Sequence, residues 1–246
     1  MEAKQGARVA IVLGGSGGIG SAVAGRLAAD GMCVMVHFAG SGERADQVVK
    51  VITEAGGSAC AAGGDIADEE AMAALFSEAE RHFGGIDVVV NAAGIMLLSP
   101  VAELDLADLD RMHRINIRGT FVVSQLAARK LRPGGALINF SSSVTRLQQP
   151  EYAAYAASKA AVEPLTMILA RELRGRDITV NAVAPGPTVT PLFLAGKSEE
   201  LVVRTAQAAP LGRLGTPADI AETVAFLAGP ARWVNGQVVY VNGGIA

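Results

Sequence analysis

Two rhythms of apolar and polar positions alternate along the chain. Short runs are almost continuously apolar and rich in Val and Ile: Arg8–Leu13, Cys33–His37, Ser58–Ala61, Asp87–Asn91, Ala136–Phe140, Ile178–Ala184 and Gln237–Val241. A strand with one face in water would alternate, so these runs predict strands covered on both faces. Helical spacing fills the intervals. Ile19, Val23 and Leu27 fall one turn apart before Gly31, and Glu43–Ala55 ends at Gly56-Gly57. Asp68 is placed to cap a helix that runs to Phe83 and is closed by Gly84-Gly85. Longer helical patterns run from about Asp105 to Leu131 and from about Tyr152 to Arg174, the second bent by the internal Pro164. Pro217, behind Thr216 as a cap, opens a helix through Leu227.

Strands alternating with helices predict an α/β fold, a doubly wound seven-stranded parallel sheet with helices on both faces. No linker or repeat divides the chain, so 1–246 reads as a single domain. The one long irregular stretch, Pro185 to about Gly215, predicts a substrate lid at about 186–215. Half of the residues are hydrophobic and 18% are charged, which excludes a disordered chain. The net charge is −3 with no Lys/Arg run, so no nucleic-acid partner is expected. No apolar run is long enough to cross a bilayer, and Met1–Gly6 lacks the apolar stretch of a leader; a cytoplasmic protein without a membrane partner is expected. Cys33 and Cys60 lack metal-ligand spacing, so no metal site is expected and both read as small buried hydrophobes.

Chemistry enters where strands end. The first strand runs into Gly14-Gly15-Ser16-Gly17-Gly18-Ile19-Gly20 at the start of a helix. Glycines permit a tight turn and close backbone approach, and the helix start offers free N–H groups to a pyrophosphate. Tyr155 and Lys159 lie one helical turn apart on one face. An ammonium beside a phenol stabilises phenolate, lowers its pKa and makes it a usable acid–base group. Ser142, just past the fifth strand, is placed to hydrogen-bond a substrate oxygen. Asn116 stands in the middle of a helical pattern, where Asn is a mediocre residue.

Together, Gly14-x₃-Gly18-x-Gly20, Asn116, Ser142 and Tyr155-x₃-Lys159 resemble the short-chain dehydrogenase/reductase family, over about Arg8 to Gly244. Leu13 departs from the Thr usual before the first glycine. The resemblance implies a Rossmann-type sheet and reversible hydride transfer between a nicotinamide cofactor and a carbonyl or secondary alcohol. It assigns Asn116, Ser142, Tyr155 and Lys159 to catalysis, with Asn116 holding a water linked to Lys159. Cofactor contacts would come from Gly14, Ser16, Gly18, Ile19 and Gly20 at the phosphates. Asp65 and Ile66 would lie at the adenine edge, with Asn91 and Gly94 after the fourth strand. Tyr155, Lys159, Pro185, Thr188 and Thr190 would serve the nicotinamide side.

At the end of the second strand, where NAD-preferring proteins place an acid, stands Phe38. With no carboxylate there, and with Ser41 placed to donate to a 2′-phosphate, NADP(H) is favoured over NAD(H). The resemblance, closest to 3-oxoacyl carrier-protein reductases and glucose-dehydrogenase-like members, also implies a homotetramer through the long helices and the last strand. A small-molecule carbonyl or alcohol substrate is expected in a pocket walled by Met96, Leu97, Leu98, Val144, Gln148, Tyr152, Pro187, Leu192 and Phe193, with Arg146 its one cation. An NADP(H)-binding sensor or partner subunit without catalysis, and an epimerase of the extended family, stay open at this stage.

Overall fold

The computed structural model describes residues 6–246; the reading of Met1–Gln5 lies outside them. Seven strands form one parallel sheet in the order β3-β2-β1-β4-β5-β6-β7. They are β1 (Val9–Leu13), β2 (Cys33–Phe38), β3 (Ser58–Gly63), β4 (Val88–Asn91), β5 (Ala136–Phe140), β6 (Thr179–Pro185) and β7 (Val238–Val241). The first helices are α1 (Gly18–Ala29), α2 (Gly42–Glu54), α3 (Glu69–Phe83), α4 (Leu106–Met112) and α5 (Gly119–Lys130). They are followed by α6 (Val144–Leu147), α7 (Ala153–Ala160), α8 (Val162–Glu172), α9 (Pro191–Leu194), α10 (Glu199–Ala208) and α11 (Pro217–Ala228).

The continuous apolar runs have a direct cause. In β1, Ala10 and Val12 pack with Val23 and Leu27 of α1 and Ile220 and Val224 of α11. Their neighbours Ile11 and Leu13 pack on the other face with Leu75 and Phe76 of α3 and Val123 of α5. Every β1 side chain is therefore withdrawn from water, each contributing about 1.5–3 kcal/mol for a Val, Leu or Ile. A third cluster, of Met112, Val144, Ala154 and Tyr155 with Ile95–Leu98, lies above the carboxyl ends of β4 and β5. Open parallel sheets bind ligands at that end, where the strand order reverses; here the reversal is between β1 and β4.

Two expectations need correction and one holds. The pattern from Asp105 to Leu131 is not one regular helix: His113–Arg118, between α4 and α5, is π-helical and contains Asn116. The pattern from Tyr152 to Arg174 divides at Ala161 into α7 and α8. Pro164 has no N–H for the Ala160 carbonyl and its ring crowds that oxygen, so the helix bends there as the internal proline predicts, with Ala161 still right-handed (φ −59°, ψ −26°). The stretch from Pro185 to Gly215 is not irregular, since α9 and α10 lie within it, capped by Thr190 and Ser198. No helix among the described residues is long and apolar enough to cross a membrane.

Candidate active site

The glycine turn is built to admit a ligand backbone-first. Gly14 is left-handed (φ +71°), and a Cβ there would lie 2.9 Å from the Ala93 backbone. A Cβ on Gly20 would lie 2.1 Å from the Gly14 carbonyl oxygen, and one on Gly18 2.9 Å from Thr190 Cγ2. No side chain caps α1, whereas Ser41, Asp68 and Thr216 cap α2, α3 and α11. The first N–H groups of α1, at the positive end of its dipole, are left for an anion. A dinucleotide pyrophosphate fits this cradle.

His37 secures the turn, a role the sequence reading missed; its one signal was a histidine inside an apolar strand. Its buried ring accepts the Gly14 N–H at Nδ1 (3.1 Å), so Nε2 carries the proton and donates to the Gly64 carbonyl (2.9 Å). Burial holds its pKa below 6.5, with the Gly64 bond and Asp65 opposing. The unfolded chain therefore takes up the His37 proton first. Stability is full above about pH 6.5 and falls as pH drops from there to the depressed folded value. Melting temperature is expected to fall between pH 7 and 5, and His37→Asn, which keeps an acceptor, should remove part of that slope. An unchanged slope in the variant would refute the assignment.

At the adenosine end, a Cβ on Gly63 or Gly42 would lie 3.0 or 3.2 Å from the Phe38 ring, which packs over both glycines. Ser41 accepts the Arg44 N–H (3.3 Å), leaving its hydroxyl hydrogen free to donate. Asp65 accepts from Ala67 N–H (2.9 Å) and from Arg114 (2.6 Å), a partner the sequence did not disclose. The Ile66 side chain is buried against Gly119, which leaves its backbone for the adenine edge. Asn91 donates to Thr120 Oγ1 (3.1 Å) rather than to neighbouring backbone, and its buried Oδ1 has no partner among the described residues.

Asn116, Ser142, Tyr155 and Lys159 converge. Asn116 is fully buried; it accepts Ile95 N–H (2.9 Å) and donates to the Ile95 carbonyl (2.9 Å) and Ser158 Oγ (3.0 Å). It thus ties the loop after β4 to the residue before Lys159. A Cβ on Gly94 would meet Asn116 Oδ1 at 3.2 Å and Lys159 Nζ at 3.3 Å, so an added methyl would press on both side chains. Lys159 donates to the Phe140 carbonyl (3.0 Å). Ser142 hydrogen-bonds the Tyr155 hydroxyl. The expectation that Lys159 lowers the Tyr155 pKa does not hold in this structure. Burial pushes Tyr155 up to about 12, against the pull of the Ser142 bond, and pushes Lys159 down to about 8. Nζ stands 6.0 Å from the Tyr155 ring centroid, and no pull from Lys159 offsets desolvation of the phenolate. At neutral pH the phenol keeps its proton and the ammonium its charge.

These groups open into a cleft of about 1090 Å³ that runs from Ile19, Thr188 and Thr190 to an apolar end. Met96, Leu97, Leu98, Val144, Tyr152, Pro187, Leu192 and Phe193 line it as expected. Gln148 does not: it ends α6 in the left-handed conformation (φ 49°) and points to solvent, and Leu147 and Gln149 take its place. Arg146 also lies outside, stacked 3.6 Å over the Tyr240 ring. Besides Lys159, the cations among the described residues that line the cleft are Lys197 and Arg204, from the segment expected as a lid. That segment starts and ends together, because Thr188 bridges Gly215 and Val189 N–H donates to the Gly215 carbonyl (2.9 Å).

A family profile described as enoyl-(acyl carrier protein) reductase matches residues 14–246. A short-chain type dehydrogenase/reductase of Picea abies is 43% identical over 250 residues, covering 97% of this chain and 92% of that protein. An NADPH-dependent aldehyde reductase-like protein, chloroplastic, of Arabidopsis thaliana is 39% identical, covering 96% and 93%. A short chain dehydrogenase from Burkholderia cenocepacia, solved in complex with NADP, matches with a TM-score of 0.91 at 39% identity over 99% of each chain.

Proposed function

The chain belongs to the short-chain dehydrogenase/reductase family of oxidoreductases, and from that premise we propose that it reduces carbonyl compounds, and oxidises the corresponding secondary alcohols, with NADP(H). The observation that carries this reading is the Ser142–Tyr155–Lys159 group, with Tyr155 and Lys159 buried, in a cleft continuous with the glycine turn. Gly14, Ser16, Gly18, Ile19 and Gly20 would hold the pyrophosphate, and Pro185, Thr188 and Thr190 the nicotinamide side. A bound nicotinamide supplies the hydride in reduction and accepts it in oxidation.

The chain's own residues handle the oxygen and the proton. The Ser142 hydroxyl donates to the carbonyl oxygen and stabilises the charge that develops there. Tyr155, protonated at neutral pH because it is buried, then gives its proton to the alkoxide oxygen. Lys159 uses one of three donors on the Phe140 carbonyl, leaving two for the ribose hydroxyls. Asn116 holds the frame around Ser158 and Ile95, and we assign it the water linked to Lys159.

NADP(H) over NAD(H) is supported by the absence of a carboxylate at Phe38, by the free Ser41 hydroxyl, and by the NADPH and NADP named for the relatives above. The apolar end of the cleft favours apolar or weakly polar carbonyls, and the segment 186–215 would close over them as a lid. A homotetramer is supported by exposed Phe121, Met167 and Ile168 on the two long helices. A panel of aldehydes, ketones and alcohols assayed with NADPH and NADH side by side tests the reading. Turnover is expected, with kcat/KM for NADPH at least about tenfold above NADH, a margin of about 1.4 kcal/mol. Tight NADPH binding with no turnover of any substrate would instead mark a binding protein.

A further inference from the structure

Glu163 stands on α8 one turn beyond Lys159 and pairs with no cation among the described residues. Its carboxylate gathers hydroxyls from three separate elements. Oε1 lies 2.7 Å from Ser141 Oγ, 3.1 Å from Thr145 Oγ1 and 3.3 Å from the Tyr240 hydroxyl. Ser141 and Thr145 flank Ser142 in the chain. Thr145 N–H donates to the Ser142 carbonyl (3.2 Å), and its one hydroxyl hydrogen is shared between that carbonyl (2.9 Å) and Glu163 Oε1. On the other side β6 anchors the same loop, with Ser141 N–H on Val183 O (2.8 Å) and Ser143 N–H on Pro185 O (2.9 Å).

Backbone bonds to β6, with the Ser143 hydroxyl donating to Ala184 O (3.2 Å) and accepting from Asn242 (3.2 Å), hold the β6 edge of that loop. Hydroxyl donors on a carboxylate make short, charge-assisted bonds, and here they hold the opposite edge. Tyr240 adds a tie to the last strand, and the Arg146 guanidinium lies flat on its ring. We propose that Glu163 is a positioning residue that sets the Ser142 hydroxyl against Tyr155 by clamping Ser141 and Thr145, a role that rests on the catalytic reading above.

The test compares Glu163→Ala, Glu163→Gln, Tyr240→Phe and Tyr155→Phe in the full chain. Glu163→Ala should lower kcat about 10- to 100-fold, the cost of a misplaced catalytic group, and leave NADPH affinity by fluorescence titration unchanged. With Ser142 no longer held to Tyr155, the basic limb of the kcat–pH profile should move to higher pH. Glu163→Gln retains an acceptor oxygen and should recover most of kcat and the original limb. If Glu163→Ala does not fold, Tyr240→Phe removes one donor from the clamp and should lower kcat two- to fivefold, about 0.4–1 kcal/mol. A folded Glu163→Ala enzyme with wild-type kcat and pH limb overturns the proposal, as does a loss that Glu163→Gln fails to repair. Where Glu163→Ala does not fold, wild-type kcat in Tyr240→Phe does so. Full activity in Tyr155→Phe would instead overturn the catalytic reading beneath it.

Discussion

Tyr155→Phe is expected to lower kcat for carbonyl reduction by about 10² to 10⁴, the contribution of a positioned general acid, or about 3–5 kcal/mol in the barrier. The phenyl ring keeps its place among Met112, Val144 and Ala154, so packing is retained. Only the hydroxyl and its bond from Ser142 are lost, a change of about 1 kcal/mol in stability. NADPH affinity should stay within about twofold, because the change leaves the cradle at Gly14–Gly20 and the Lys159 ammonium in place. Single-turnover kinetics with saturating NADPH separates the outcomes. A fall in the chemical step with unchanged cofactor affinity supports the proton-donor role. A rise in KM at constant kcat would reduce Tyr155 to a substrate contact, and wild-type-like turnover would refute its role altogether.

Gly20→Ala should remove cofactor binding by a wholly different route. In a helix, Ala is favoured over Gly by about 1 kcal/mol, so propensity alone predicts stabilisation. The new methyl would lie 2.1 Å from the Gly14 oxygen and 2.8 Å from its carbonyl carbon. Both are backbone atoms, which no rotamer change can move aside. The turn must open, at about 1–3 kcal/mol for overpacking, and the N–H groups facing the pyrophosphate lose their register. NADPH affinity is expected to drop at least about 100-fold, equivalent to about 2.7 kcal/mol. Gly25→Ala is the control, on the same helix with nothing within 4 Å of the added methyl. It should be neutral or slightly stabilising and bind NADPH normally. Equal NADPH affinity in the two variants, by fluorescence titration, would refute the steric account of the cradle.

The accuracy of the strand reading has a simple origin. A parallel strand buried on both faces has no polar alternation to blur its limits, and Ala136–Phe140 coincides with β5 residue for residue. The caps were equally local: Asp68 accepts from the N–H groups of Glu70 and Ala71, and Gly84 ends α3 left-handed. The helix α10 falls in the stretch read as irregular although Ser198-Glu199-Glu200 spells a capped start, because its large apolar residues, Leu201, Val202 and Val203, are consecutive and do not repeat at helical spacing. Gln148 was placed in the pocket by proximity in sequence, but one left-handed residue turns it to solvent.

What the sequence determined by itself are the features written in neighbouring residues: strands, caps, the glycine turn, and the Tyr155–Lys159 pair sharing one helical face. What only the tertiary structure decided are contacts between residues far apart in the chain. His37 meets Gly14 and Gly64, and Asn116 in its π-helical segment meets Ile95 and Ser158. Glu163 gathers Ser141, Thr145 and Tyr240, and Lys197 and Arg204 reach the cleft. Hydrophobic spacing encodes which face a residue takes, but a hydrogen bond needs a partner at a set distance and angle. That partner is brought there by the packing of the whole sheet, which no local pattern records.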